Sequence, residues 1–426
     1  MRRVTGDGRR TMSRAMLAAA LCIPGALLAQ AQTIAITGGR VYPVSGPMID
    51  NGTVIITNGR ITAVGPNLPV PAGAQRIDAT GKWVTPGIVN VATTLGIVEI
   101  GAVEETVDAS ARGRGDAITA SHRAWEGINP NSPLIQVTRN DGITTVGVVP
   151  SGGLVSGQVA VVVLRDGTMS EMLLKAPVAM VADIASKGEQ AGGSRAEVLQ
   201  RLRELLTDTR DYFRRRADYE RNQTREMAAR RADLEAMIPV VQGRLPLIIE
   251  ANRASDIETA LTLAREFSLK VAISGGAEAW MLGNKLVGVT VIVGSLNNIP
   301  QSFAMLGARQ ENAGLLHRNG AAVVMNGGAD GFNARNVRFE AGVAVAFGLP
   351  WDAALRAVTL APAELYGVAD RVGSLQPGRD ANVVVWSGDP FEPMTRAEVV
   401  LVRGVDVRRP SRQDELMQRY RRLPPR

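Results

Sequence analysis

Apolar and polar positions follow one rhythm at the two ends of the chain and another in its middle. Across residues 33–78, β-branched runs at 34–36, 54–57 and 61–64 are separated by Gly, Pro and Asn, a pattern that predicts a small antiparallel sheet. Runs of the same character return at 381–386 and 399–403, on either side of the turn-rich Ser387-Gly388-Asp389-Pro390, so strands from both ends are expected to pair. Between them, continuous apolar runs at 144–149, 247–249, 270–273, 289–293 and 321–325 read as strands buried on both faces. Stretches such as 257–267 and 351–359 carry helical spacing instead. Buried strands that alternate with helices predict parallel βα units, and about eight of them close most readily into a barrel. The expected fold class is therefore α/β: a (β/α)8 TIM-type barrel with a small β-sandwich domain built from both chain termini. Functional side chains are then expected at strand C-terminal ends.

One segment breaks the rhythm. Residues 194–236 are rich in Arg and Glu, with Leu199, Leu202, Leu205 and Leu206 spaced as one apolar stripe, which predicts a helical insertion acting as a lid or a packing helix pair. Its arginine run at 210–216 is interleaved with acids over the wider segment, so it reads as a solvated helix face and no nucleic-acid partner is expected. The organisation is thus 1–31 leader, 32–84 N-terminal part of the sheet domain, 85–366 barrel with the insertion 194–236, 367–407 C-terminal part of the sheet domain, and 408–426 basic tail.

Composition changes the reading of the leader. The 426-residue chain has a formal net charge of +7, but residues 1–31 hold five arginines against one aspartate, which leaves +3 for the rest. Those arginines precede an apolar run at 15–29 broken by Pro24 and Gly25, and Ala29-Gln30-Ala31 supplies the small residues of a cleavage site. A signal peptide cleaved after Ala31 is expected, with a periplasmic or secreted product and no stable membrane insertion after cleavage. Leu21 is too bulky to precede a lipidated Cys22, and Arg9-Arg10 leaves the Sec and Tat routes both open. The cleaved chain would hold no cysteine, which excludes a thiol nucleophile.

The segment Gly81-Lys82-Trp83-Val84-Thr85-Pro86-Gly87-Ile88-Val89-Asn90 resembles the entry to the first barrel strand in the amidohydrolase superfamily, of the imidazolonepropionase-like and dihydroorotase-like kind. Leu360-Ala361-Pro362-Ala363 resembles its last barrel helix, and Gly373-Ser374-Leu375-Gln376-Pro377-Gly378-Arg379-Asp380-Ala381-Asn382 its return into the sheet domain. The resemblance implies hydrolysis of carbon–nitrogen bonds other than peptides, by a metal-bound hydroxide with an aspartate relaying the proton. Asp330, after Asn326-Gly327-Gly328, is the residue it marks as that catalytic base.

The same resemblance exposes a departure. Its first strand should carry a His-x-His pair, because alternate strand positions point the same way and set two imidazoles on one metal. Ala92 and Thr94 occupy those positions. The later segments Ile249-Glu250-Ala251-Asn252-Arg253 and Ile273-Ser274-Gly275-Gly276 contain no histidine, and the chain has only His122 and His317. The chain is identified as a divergent member without the zinc motif, and no metal or other cofactor is expected, a hard divalent cation held by Glu250, Glu278 and Asp330 being the open alternative. Thr94, Glu250, Asn252, Glu278 and Arg335 are the candidate substrate-binding residues. Glu250 paired with Arg253 or Arg335 as structural charge is the competing reading, as are a tight barrel loop for the glycine-rich 151–158 and a solvated face for the acidic Glu99, Glu104, Glu105 and Asp108. Arg335 and Arg338, placed near Asp330, would suit an acidic ligand. Two functions follow: a carbon–nitrogen hydrolase, or a catalytically inactive barrel that binds a small-molecule ligand, forms a homo-oligomer or pairs with an active amidohydrolase.

Overall fold

The computed structural model describes residues 32–111, 117–185, 192–294, 296 and 299–421. The leader 1–31 lies outside the described residues, as does the end of the basic tail; the tail's helix is Arg412–Tyr420.

Five strands open the described chain: β1 (Thr33–Val41), β2 (Ile49–Thr57), β3 (Arg60–Pro66), β4 (Gln75–Asp78) and β5 (Trp83–Pro86). The barrel follows as β6 (Ile88–Thr93), β7 (Ile143–Val148), β8 (Val155–Val163), β9 (Leu173–Asp183), β10 (Leu247–Ala251), β11 (Val271–Gly275), β12 (Thr290–Val293) and β13 (Ala322–Met325). The chain then returns through β14 (Val383–Trp386), β15 (Ala397–Val402) and β16 (Val405–Asp406). In the first sheet β5 lies between β1 and β14, parallel to one and antiparallel to the other, so both ends of the chain share one sheet. Trp386 of β14 is fully buried beneath it, its indole N–H donating to Thr85 Oγ1 at 2.8 Å. The ring lies against Gly142, at φ +84°, where a Cβ would fall 2.2 Å from Trp386. Only glycine meets both conditions.

The barrel sheet runs β6 to β13 in chain order. β8 is antiparallel to both β7 and β9, while every other adjacent pair is parallel. The eight expected strands are present, but β7, β8 and β9 follow one another as antiparallel neighbours, with only the four-residue helix Met169–Met172 between β8 and β9. This places Val155–Val163 in a strand, so the loop expected over 151–158 ends at Leu154. The edges β6 and β13 are joined indirectly: Val89 N donates to Val358 O, Thr94 N to Ala329 O, and Asn90 Nδ2 to Ala334 O at 2.9 Å. Inside, Val91, Val159, Val161, Val181, Ile248, Ala272, Ile292 and Val324 fill the barrel with aliphatic carbon. Tyr366 is fully buried with them and donates to Val91 O at 2.5 Å, so its hydroxyl is satisfied where water is absent.

The insertion folds as helices Arg195–Arg214, Arg216–Glu220 and Arg231–Val241. Val198, Leu202, Leu205, Leu206 and Tyr212 of the first bury with Leu234, Met237 and Val240 of the third in the main core, with Leu199 partly buried beside them. It is a packed helix pair. Its outer arginines are spent on local acids, such as Arg203 on Glu266 and Arg216 on Glu235.

Candidate functional site

A cavity of 340 Å³ opens at the C-terminal ends of the barrel strands. Strand register explains what lines it. Val181 and Ile248 are paired across β9 and β10, and two residues further on Asp183 pairs with Glu250. Glu250 pairs in turn with Ser274, Ser274 with Ile292, and Ile292 with Val324. Because a strand returns to the same face every second residue, the row from Asp183 to Ser274 stands directly on the aliphatic row beneath it. Asp183, Glu250 and Ser274 line the cavity with Ile292 in the same row and Val181 and Ile248 beneath.

Glu250 is the perturbed group of the site. Its carboxyl has no hydrogen-bond or ion-pair partner among the described residues, and its accessible surface faces the cavity. Desolvation by the barrel wall, and then the charge of Asp183, push it up to about 7. Asp183 is half-buried and accepts the amide of Ala185 at 2.8 Å. No lysine, arginine or histidine lines the cavity among the described residues. Neither cation proposed to neutralise Glu250 does so: Arg253 binds Asp256 at 3.1 Å, and Arg335 is 3.7 Å from Asp141.

The structure sorts the other sequence candidates. Ala92 and Thr94, the His-x-His positions, both line the cavity, together with Thr93 between them at the end of β6. The Thr94 hydroxyl donates to Ala329 O at 3.2 Å. Asn252 lies beyond the end of β10 and outside the cavity lining, its side chain against Gly275. Glu278 is also outside, its carboxylate accepting the amides of Ala254 and Gly307 at 3.0 Å each and so tying two loops together. Asp330 is exposed at the start of the short helix Gly331–Asn336, outside the lining, where Asn326 and Ala329 take part instead. Arg338 turns away from it and donates to the carbonyls of Pro390, Glu392 and Thr395 in the sheet domain.

His122 and His317 line no part of the cavity. Burial lowers the His122 pKa, and its Nε2 is enclosed without a hydrogen-bond partner. The glycine-rich 151–158 is no anion cradle: the amides of Ser151, Leu154, Val155 and Gln158 all donate to backbone carbonyls. A larger cavity of 530 Å³ lies on the insertion, but its arginines are engaged, Arg225 with Asp208 and Arg230 with Asp233.

Sequence reading missed Asp183. The signal was present: residues 178–183 form an apolar run ending in a carboxylate, as residues 247–250 do.

Residues 253–409 match the family model described as Amidohydrolase family. The chain is 24% identical over 379 residues to the amidohydrolase tasK of Hapsidospora irregularis, an alignment that covers 80% of this chain and 38% of that protein. This chain therefore spans well under half the length of that relative. A shorter similarity, 46% identity over 63 residues and 14% of each chain, is to the 5-methylthioadenosine/S-adenosylhomocysteine deaminase of Symbiobacterium thermophilum. Among solved structures, an amidohydrolase from Thermotoga maritima superposes with a TM-score of 0.78 at 26% identity, covering 88% of this chain and 99% of that one. A molinate hydrolase shares the fold at a TM-score of 0.51 and 18% identity, over 88% of this chain and 94% of that one.

Proposed function

The chain belongs to the amidohydrolase superfamily, and we propose that its barrel mouth binds a small organic ligand without the metal ion such a fold is built to carry. The observation that supports this reading is the donor set. Ala92 offers no lone pair, Thr94 is directed at a backbone carbonyl, and no group of three His, Cys, Asp or Glu side chains converges among the described residues. Two carboxylates and scattered hydroxyls fall short of the four nitrogen and sulfur ligands of zinc or the six or so oxygens of a hard cation. The residues present do not fit a metal, and no catalytic step is derived through one. What they do fit is a partly enclosed, apolar-floored pocket with a few polar groups at its top, the usual form of a small-molecule site.

The deciding experiment is elemental analysis of the purified protein after dialysis against chelator and after reloading with zinc, manganese or magnesium. The expected result is no stoichiometric metal in any case. Stoichiometric metal that is lost in Glu250→Gln overturns the reading.

A second reading is favoured by Glu250 alone. A carboxyl with a pKa of about 7 both gives and takes a proton at neutral pH, as general acid–base catalysis requires. A metal-independent hydrolysis of a non-peptide carbon–nitrogen bond is then expected to persist in chelator and to vanish in Glu250→Gln.

A further inference from the structure

We propose that the ligand of the barrel mouth is amphiphilic: its polar head sits in the cavity, and an uncharged apolar arm leaves the cavity over Ile299, Phe303 and Leu306. This rests on the reading of the mouth as a ligand site and names the character of what fills it. The three side chains belong to the connection between β12 and the helix Asn312–Arg318. Both ends of that connection stand at the mouth. Gly294, just past β12, lines the cavity, and Asn312 Nδ2 donates at 2.9 Å to the carbonyl of Gly276, the neighbour of cavity-lining Gly275. Between those ends the backbone is pinned. The amide of Leu296 donates to the buried Glu340 at 2.6 Å, the amide of Gly307 to Glu278 at 3.0 Å, and the Trp280 indole N–H to the carbonyl of Gly307 at 2.8 Å. A Cβ on Gly307 would fall 2.2 Å from the Met281 side chain, so this connection touches the one after β11.

On this anchored backbone the apolar side chains are turned outward. Phe303 is 84% exposed, and Ile299, Leu306 and Met281 are exposed as well, as is Phe332, three residues past the cavity-lining Ala329. Apolar residues exposed singly are ordinary, but five on the loops of one barrel face mark a binding surface. Residues 299–308 include no charged side chain, so nothing in that run steers a charged partner, and the chain leads back through Gly294 to Ile292 on the cavity wall. An uncharged arm of the cavity's own ligand meets both conditions. Its head is met by groups the protein leaves unused. Ser156 is only 3% exposed, yet it lines the cavity and its hydroxyl makes no hydrogen bond among the described residues. Ser274 also lines the cavity with its hydroxyl unbonded among those residues. The Oδ1 of Asn326 accepts the amide of Gly328 at 3.2 Å, which leaves its Nδ2 hydrogens for a ligand oxygen.

Isothermal titration of the chelator-treated full chain with butanamide, hexanamide and octanamide tests this, since the three share one uncharged head and differ in arm length. Affinity is expected to rise by about twofold for each added methylene, and so by about tenfold or more across the series, as one-sided burial of an alkyl chain gives. Replacing Phe303→Ser and Leu306→Ser together should leave butanamide unchanged and weaken octanamide by about fivefold or more. Both positions are exposed, so the melting temperature is expected to hold. Ser274→Ala should weaken all three amides alike, whereas a loss confined to octanamide would put the arm in the cavity and overturn the arrangement. Equal affinities across the series, unchanged octanamide binding in the double variant, or no binding of octanamide would each overturn the arm. A dimer that dissociates in the double variant, seen by sedimentation velocity, assigns the surface to a second copy and overturns it too. Manganese and zinc titrated in the same series separate the two conclusions. Stoichiometric metal binding overturns the metal-free reading itself, whereas amides bound without regard to length overturn the arm alone.

Discussion

Two acidic sites in this molecule have opposite surroundings. Asp380, where the chain leaves the barrel for the sheet domain, is 4% exposed and is met by three arginines. Arg371 donates to both of its oxygens at 3.0 and 2.6 Å, with Arg403 at 3.4 Å and Arg60 at 3.8 Å. Glu250, beside Asp183 on the neighbouring strand in the barrel mouth, has no ion-pair partner among the described residues. The first carboxylate is complete and joins β3, the post-barrel segment and the turn after β15. Glu250 has no such partner among the described residues, and a ligand in the mouth can provide one. A buried charge that the protein neutralises argues for architecture; a carboxyl with a raised pKa that faces a cavity argues for binding.

The comparison breaks most visibly at Asp380. Asp380→Ala leaves three guanidinium groups around a vacated carboxylate, and breaking such a network from one side should cost about 3 kcal/mol. Urea unfolding followed by circular dichroism gives this directly. A loss below about 1 kcal/mol would mean that the arginines are solvated well enough without their partner, and the contrast with the mouth would lose its physical basis.

Glu250 gives a smaller effect with a distinctive sign. Its folded-state pKa of about 7 lies above the ordinary glutamate value of 4.5, so the native state binds the proton more tightly than the unfolded chain. Stability is therefore full below about pH 4.5 and falls as pH rises towards 7, after which this group contributes no further change. Glu250→Gln should accordingly leave stability nearly unchanged at pH 4.5 to 5 and raise it at pH 8 by about 1 kcal/mol, the cavity's contact with solvent holding the gain to that size. Thermal unfolding of the two proteins at both pH values checks the sign. Destabilisation at pH 8 would show that the carboxylate has a partner after all.

How far the sequence reached follows from how locally each feature is encoded. The composite sheet was legible because its β-branched runs are separated by turn residues, and β10 and β13 were legible because single apolar runs mark them. Strand alternation also placed Ala92 and Glu250, both inside their strands, at the cavity. It gives no guide once the strand stops: Thr94, one residue past β6, lines the cavity, whereas Asn252, one residue past β10, does not. The antiparallel course of β8 was invisible, since a run such as Val159–Val163 is equally apolar in either direction. Asp183 was hidden by the same uncertainty: without β9 in the barrel, its pairing with Glu250 has no register to rest on.

The smallest effect is expected where the sequence placed the most chemistry. Asp330 follows the last barrel strand by five residues, at a position the family resemblance marks for catalysis, yet it is exposed and is not among the residues that line the cavity. Asp330→Asn should shift stability by no more than about 0.5 kcal/mol. The neighbouring Arg335 is held only by a 3.7 Å approach to Asp141 at the surface, so Arg335→Ala should be equally quiet. If Asp330→Asn instead abolishes binding or turnover at unchanged melting temperature, the loop 326–330 must fold inward over the mouth when ligand is present. The carboxylates that line the mouth would then be three rather than two, and the donor count that argues against a metal would have to be made again with Asp330 included.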